Sequence, residues 1–211
     1  MSASAYFVIT HGSRSPRSIV ARQKIEVALQ ARCPHIPVGG GCLEGQPQSL
    51  AAQMDSFRQR LSHADRIVAI PLFLLHGVHT QVDIPAQLPP QGWHLAPILG
   101  DHPTIPHLLA AQFPPEGERF LLSHGSNYPG AIEAFARLAH SIDAKPIYWQ
   151  GEPHWQTCLN YPSAFVLPYF LAESYILAKI KEQAQGMNLL PTPFTPPLVA
   201  QMAQELAEGL E

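Results

Sequence analysis

Three polar side chains in the first half of the chain follow predicted β-strands and could together hold a divalent cation. His11 ends a β-rich run over residues 5–10, Glu44 follows a weaker run over residues 37–42, and His79 follows the apolar run 67–75. Two imidazoles and one carboxylate suit a borderline divalent ion and leave coordination positions open for a substrate. The same groups can accept protons near neutral pH. His76, three residues before His79, is a second candidate.

Each of these residues also has a purely structural interpretation when it is taken alone. A histidine after a strand is commonly a hydrogen-bonded, partly buried residue, and Glu44 could cap the helix that follows it. The functional interpretation therefore depends on whether the fold brings the three side chains together.

Strands and helices alternate along the whole chain. Short β-rich or apolar runs cover residues 5–10, 37–42, 66–72, 94–97, 119–123, 146–149, 163–167 and 186–190. Helical spacing covers residues 17–31, 49–61, 104–113, 130–142, 174–185 and 197–210. This alternation predicts an α/β fold with parallel sheets and helices on both faces. Because ligands bind at the carboxyl ends of such strands, near a topological switch, we expect His11, Glu44 and His79 to converge there.

Three landmarks occur twice in the same order, which indicates a tandem duplication. Residues 7–13 and 120–126 are both apolar runs that end in His-Gly-Ser, and the proline-containing runs 67–75 and 164–172 resemble each other. The proline pair at 97 and 103 returns at 191 and 197 with the same separation. We therefore predict two similar lobes, formed by residues 1–114 and 115–211.

Composition excludes several classes of protein. The 211 residues are 46% apolar and 14% charged, which is typical of a globular core, and the net charge of −3 argues against a nucleic-acid partner. The sequence contains neither an apolar run near the ~20 residues that span a bilayer nor a secretory leader. Its three cysteines form no C-x-x-C pair. These features predict a cytoplasmic protein with no membrane partner.

Three motifs resemble those of the sirohydrochlorin chelatase family, the class II, ATP-independent tetrapyrrole chelatases of siroheme and cobalamin biosynthesis. They are His11-Gly-Ser-Arg14, Leu43-Glu44 with Pro47, and Pro71-Leu-Phe-Leu-Leu-His-Gly-Val-His-Thr-Gln-Val-Asp-Ile-Pro85. The duplicated halves are similar to the two-lobed members, in which two α/β lobes enclose a cleft. The resemblance implies insertion of Co²⁺, Fe²⁺ or Ni²⁺ into sirohydrochlorin, with the metal as substrate and no organic cofactor.

The resemblance also implies roles for individual residues. His11 and His79 correspond to the two metal-binding histidines, and Glu44 corresponds to an acidic residue that faces the substrate. We expect His11 and Glu44 to accept the protons that the ring releases. Because ligands must be deprotonated, activity should fall in acid.

Further residues are candidates for substrate contacts. By the resemblance, the segment 74–78 lies against the macrocycle. Just after the first strand, a helix start and guanidinium groups favour substrate carboxylates, although Arg17 could equally be solvated. For Phe73 and Trp93, core packing is the simpler interpretation. The candidate substrate-binding set is Ser13, Arg14, Glu44, Leu74, Leu75, His76, Gly77 and Val78.

The second half lacks the complete ligand set. His124 corresponds to His11, but aligning the repeats places Ile176 opposite His79 and Gln150 opposite Glu44. Isoleucine cannot bind a metal, and glutamine is a poor proton acceptor. We therefore expect one working site, in the first lobe, with the second lobe as its lid or wall and a structural role for His124. A monomer could then be complete, since both lobes lie in one chain.

Two other functions remain open from the sequence. A non-catalytic metal or tetrapyrrole carrier would use the same ligands without turnover. A metal-dependent hydrolase could generate hydroxide at such a site, but the sequence lacks H-E-x-x-H. Neither a Walker sequence nor a G-x-G-x-x-G after a strand is present, which disfavours nucleotide-driven chemistry. The ligand types do not select the metal.

Overall fold

The computed structural model describes residues 5–13, 16–61, 65–161, 163–172, 175–184 and 187–210. Packing divides them into two units. Unit 1 contains the described residues of 1–102 and 195–211, and unit 2 contains those of 103–194. Each unit is built on a four-stranded parallel sheet, so the predicted α/β class with two similar parallel-sheet lobes is confirmed. Among the described residues, no helix has the length and apolar character needed to cross a bilayer.

The elements follow one another in the alternating order that the sequence predicts. In chain order they are β1 (Ala5–Gly12), α1 (Pro16–Arg32), β2 (Val38–Glu44), α2 (Leu50–Gln59), β3 (Ile67–Pro71), α3 (Ile84–Gln87), β4 (Trp93–Leu95), α4 (Ile105–Ala110), β5 (Arg119–Ser123), α5 (Ala131–Ser141), β6 (Lys145–Tyr148), β7 (Phe165–Pro168), α6 (Tyr175–Gln183), β8 (Asn188–Leu189) and α7 (Pro196–Glu208).

Three short helical turns were not predicted from the sequence. A π-helical turn, His79–Asp83, leads into α3, and 3₁₀ turns cover Leu99–Asp101 and Trp155–Asn160. They were missed because turns of three to six residues are too short to show the apolar spacing on which a helix prediction depends.

The sheet of unit 1 has the strand order β2-β1-β3-β4. The chain therefore leaves β1 towards one side, forms β2, and returns to pair β3 with the other side of β1. The boundary between β1 and β3 is a topological switch point, at which a crevice opens beyond the carboxyl ends of the strands. β3 is buried along its whole length, as expected for a central parallel strand covered on both faces.

Alternating side chains of the sheet of unit 1 pack against different helices. On one face, Phe7 and Ile9 of β1 join a core cluster with Leu50, Met54 and Phe57 of α2 and with Ile84 of α3. On the other face, α1 packs against β2 and α7. Helices are needed on both faces of the sheet, because successive side chains of β1 point to opposite faces and are buried on both.

Three consecutive glycines let the helices approach β2 closely. A Cβ on Gly39 would lie 2.5 Å from the Phe57 ring, and one on Gly40 would lie 2.4 Å from the Glu26 carboxylate of α1. Glu26 pairs with Arg22, and burial raises the pKa of its carboxyl group. The weak strand signal over residues 37–42 thus reflects close helix packing rather than a loop.

The two units do not coincide with the sequence halves 1–114 and 115–211, since each unit takes the final helix of the other half. α7 belongs to unit 1, where it packs against α1, and α4 belongs to unit 2. The buried His102 fixes α7 further, because its Nε2–H donates to the Glu205 carboxylate at 2.9 Å. The repeat in the sequence cannot reveal this exchange, since either arrangement gives the same order of elements.

Unit 2 repeats the sheet of unit 1 with the order β6-β5-β7-β8. The register is also repeated: Ile9 pairs with Pro71 in unit 1, and Leu122 pairs with Pro168 in unit 2. Pro71 and Pro168 are therefore equivalent positions, as the alignment of the repeats assumed.

Replacing Gly39 with alanine should destabilise the protein by about 1–3 kcal/mol, because the added methyl group overpacks the Phe57 ring. Gly77→Ala is the matched control, since a Cβ on Gly77 meets no atom within 4 Å. The measurement is the free energy of unfolding in urea. Equal stability of the two variants would contradict the proposed close packing.

Candidate metal centre

His11, Glu44 and His79 lie together at the carboxyl edge of the unit 1 sheet. One candidate ligand atom from each residue lies within 4.8 Å of the others, and the rings of His11 and His79 have centroids 4.6 Å apart. No other group of three or more His, Cys, Asp or Glu side chains with such spacing exists among the residues that the structure describes. The strand topology thus brings together side chains that are far apart in the sequence.

Two glycines with positive φ shape the strand ends that carry the first two ligands. Gly12 (φ 84°) pairs with Glu44 in the β1–β2 register, and a Cβ on Gly12 would lie 2.1 Å from the Glu44 carbonyl oxygen. Gly45 (φ 77°) packs in the same way against the backbone of Ser13. Only glycine allows both the φ value and this close approach.

Hydrogen bonds orient both imidazole rings. Nδ1–H of His11 donates to the Gly12 carbonyl at 2.8 Å, and Nδ1–H of His79 donates to the Asp83 carboxylate at 2.7 Å. In this tautomer the Nε2 atom of each ring carries the lone pair that a metal needs. Asp83 was part of the sequence motif, but its contact with His79 was not foreseen, since no helical turn was predicted over these residues.

The charge and exposure of the cluster suit a divalent cation that enters from solvent. His11 and Glu44 are exposed, and the side chain of His79 retains 34% exposure. Two neutral imidazoles with the carboxylates of Glu44 and Asp83 would offset the two positive charges of the ion.

His76 is not part of this cluster. Its Nδ1 accepts from the Gln81 amide at 2.7 Å, and its Nε2–H donates to the Asp101 carboxylate at 2.9 Å. Nearby, the amide of Gly100 donates to the Phe73 carbonyl. Both ring nitrogens of His76 are therefore engaged, and the ring ties the segment 74–78 to the 3₁₀ turn Leu99–Asp101.

The other predicted substrate contacts lie in different environments. Ser13 is half-buried and its hydroxyl donates to Ser18, Arg17 is exposed on α1, and Arg14 lies outside the described residues. Leu74, Leu75 and Gly77 are half-buried.

Three apolar side chains bear on where a flat ring could lie. Val78 is 52% exposed and Val82 is 53% exposed. The sequence analysis did not single out Val82. Trp93 is buried in the core against Phe7, with ring centroids 5.5 Å apart, so core packing is its role.

The three cysteines offer no thiolate to this centre. Cys33, Cys42 and Cys158 are all buried. Burial raises the pKa of the thiols of Cys33 and Cys42 and raises that of Cys158 to about 11. The thiols are therefore protonated near neutral pH.

Unit 2 keeps one ligand position and replaces the other two. His124 makes the same type of bond as His11, from Nδ1–H to the Gly125 carbonyl, at 3.1 Å. A Cβ on Gly125 would lie 1.8 Å from the Gln150 carbonyl oxygen, so Gln150 stands where Glu44 stands in unit 1. Ile176, at the position of His79, packs against the core of unit 2. Among the described residues, this edge of the second sheet therefore holds no group of three ligands like that of unit 1.

A family model of known proteins matches the part of the chain that carries this cluster. The CbiX model matches residues 5–114, which is slightly more than half of the chain. The chain belongs to the CbiX family. The resemblance to sirohydrochlorin chelatases inferred from the motifs is thereby confirmed.

One curated relative matches part of the chain. The "Sirohydrochlorin cobaltochelatase" of Methanopyrus kandleri is 33% identical over 84 residues, which cover 40% of this chain. The match spans 57% of that relative's length.

Two solved structures share the two-unit fold of this CbiX-family chain. SirB from Bacillus subtilis with Fe³⁺ has a TM-score of 0.78 at 18% identity, covering 97% of this chain and 94% of that one. The crystal structure of the sirohydrochlorin chelatase SirB from B. subtilis subspecies spizizenii in complex with cobalt has a TM-score of 0.75 at 18% identity, with coverage of 97% and 93%. At this identity the likeness establishes the fold.

Gly12→Ala should weaken Co²⁺ binding and destabilise the protein, because its Cβ would push against the Glu44 backbone. Gly130→Ala is the control: Gly130 also has positive φ (80°), but a Cβ there meets no atom within 4 Å. The control should show only the backbone cost of about 1–2 kcal/mol. Calorimetric titration with Co²⁺ and urea unfolding measure the two effects. Unchanged Co²⁺ affinity in Gly12→Ala would contradict this account of the strand ends.

Proposed function

We propose that this chain is a chelatase that inserts a divalent metal ion, Co²⁺ or Fe²⁺, into sirohydrochlorin without ATP. The observation that carries the proposal is the cluster of His11, Glu44 and His79 at the topological switch point of unit 1. The name of the M. kandleri relative and the metals bound in the two SirB structures support it.

Metal insertion replaces two pyrrole N–H protons of the ring by bonds between the ion and the ring nitrogens. A site for this reaction must hold the ion loosely enough to release it and must accept two protons. We assign the first task to the Nε2 atoms of His11 and His79. As metal–nitrogen bonds form, the ion leaves the imidazoles, and His11 and Glu44 accept the two protons.

The surroundings of the cluster suit a flat, largely apolar ring with carboxylate substituents. Val78 and Val82 expose about half of their surface beside His79. We propose that they lie against the ring together with the segment 74–78. Ser13, next to Gly45, and Arg14 are proposed to contact ring carboxylates.

The ligand set does not decide between the metals. Imidazole and carboxylate ligands accept both Co²⁺ and Fe²⁺, so availability in the cell governs which ion is used. Cobalt insertion would place the protein in cobalamin biosynthesis, and iron insertion would place it in siroheme biosynthesis.

His11→Ala and His79→Ala should each lower the rate of Co²⁺ insertion by at least ~100-fold, since each removes a metal ligand and the first also removes a proton acceptor. The measurement is the absorbance change of sirohydrochlorin on metal insertion, corrected for the uncatalysed rate. His124→Ala, the repeat counterpart of His11, is the control and should leave the rate unchanged.

Equal insertion rates in the wild-type protein and both histidine variants would reject the assigned site. Stoichiometric Co²⁺ binding by the wild-type protein with no change in the ring spectrum would instead identify a metal carrier.

Glu44→Gln should reduce kcat by ~10²–10⁴-fold, because the amide cannot accept a pyrrole proton. Co²⁺ binding should persist in this variant, since both imidazoles remain. Glu116→Gln, which changes an exposed carboxylate outside the cluster, is the control. A variant that loses cobalt binding as fully as it loses kcat would show that Glu44 is mainly a ligand.

A further inference from the structure

We infer that Asp83 is a positioning residue: it holds His79 in the Nδ1–H tautomer, so that Nε2 presents its lone pair to the metal ion. The inference rests on the proposed function, because it concerns the same cluster. It adds a residue that lies outside the ligand cluster.

The contact between the two side chains is short and partly shielded from water. His79 Nδ1 and Asp83 Oδ2 are 2.7 Å apart, and the side chains are 34% and 37% exposed. A carboxylate only accepts hydrogen bonds, so the proton must lie on Nδ1. In the neutral ring Nε2 then carries no proton, which is the state that binds a metal.

The helical turn that begins at His79 places Asp83 beside it, since residues four apart lie on the same face of a helix. The turn begins at His79 itself, and the amide of Ile84 donates to the His79 carbonyl across five residues instead of four. Pro85 has no amide hydrogen to donate to a carbonyl one turn earlier, which favours a departure from α geometry here. Such single π turns occur frequently at functional sites.

The two ligand histidines are therefore not equivalent. The Nδ1–H group of His11 donates to a neutral backbone carbonyl, whereas that of His79 donates to a carboxylate. A carboxylate partner fixes the ring and makes its other nitrogen a better donor. His79 is thus the stronger anchor for the ion, and His11 is the more easily released ligand.

Another His–Asp pair in the same unit provides an internal comparison. His76 donates to Asp101 at 2.9 Å, with side-chain exposures of 43% and 39%, but His76 is outside the ligand cluster. A general effect of removing an exposed aspartate from a histidine would appear in both pairs. An effect specific to binding of the metal ion would appear only in the His79–Asp83 pair.

The first test reads the tautomer directly in the metal-free protein. Long-range ¹⁵N–¹H NMR spectra of the histidine rings should show His79 protonated at Nδ1 in the wild type. Asp83→Ala should shift the proton towards Nε2. Asp83→Asn should retain the Nδ1–H form, because the amide oxygen still accepts the hydrogen bond. An unchanged tautomer in Asp83→Ala would overturn the inference.

The second test measures the dissociation constant for Co²⁺ by calorimetry. Asp83→Ala should raise it by ~10–100-fold, the usual effect of removing such a partner, and Asp83→Asn should recover part of the loss. Asp101→Ala, the matched control, should leave the constant unchanged. Equal effects of Asp83→Ala and Asp101→Ala, or an Asp83→Asn variant as weak as Asp83→Ala, would overturn the role assigned to Asp83.

Failure of this inference can be told apart from failure of the proposed function. If the wild type and His79→Ala bind Co²⁺ equally weakly, the metal site itself is wrong and the role of Asp83 falls with it. If His79→Ala loses binding but Asp83→Ala does not, only the role of Asp83 is wrong. Thermal unfolding of each variant shows whether it is folded. If Asp83→Ala is unfolded, the measurements on Asp83→Asn decide the test.

Discussion

The parallel pairing of β1 with β3 is the constraint on which the candidate centre depends. Hydrogen bonds between these two central strands fix the end of β1 beside the start of the segment that leads to His79. The neighbouring pairing of β1 with β2 fixes Glu44 on the other side. Because all three strands run in the same direction, their carboxyl ends form one edge, and a gap for a cation opens there without any insertion in the fold.

The sequence predicted the elements of this arrangement better than its details. Alternation of strands and helices, and the repeat of His-Gly-Ser, are local patterns, so the α/β class and the strand ends that carry His11 and Glu44 could be read directly. The contact of His79 with Asp83 could not be read in the same way, because it requires a helical turn to begin at His79, and the sequence did not predict that turn. The engagement of His76 with Asp101 is likewise a contact between distant segments, which no spacing rule reveals.

The second unit has the same parallel sheet as the first but only one of the three ligand positions. His124 retains its bond to the following carbonyl, as His11 does in unit 1. Ile176 is instead partly buried and packs against the core of unit 2. Burying an aliphatic side chain there stabilises the unit, whereas a histidine at that position would have to remain hydrated or find a polar partner. Duplication followed by this kind of replacement accounts for one cluster in two similar units.

The assignment of α7 to unit 1 has a consequence for how the chain matures on the ribosome. The helix buries Val199, Ala203 and Ala207, but it is synthesised after every element of unit 2. Residues 5–102 are therefore synthesised first, but α1 lacks its packing partner α7 until all strands and helices of unit 2 have been synthesised. Unit 1 thus begins before unit 2 but is completed after it. The unit that holds His11 and His79 is therefore the last to have all its elements available for folding.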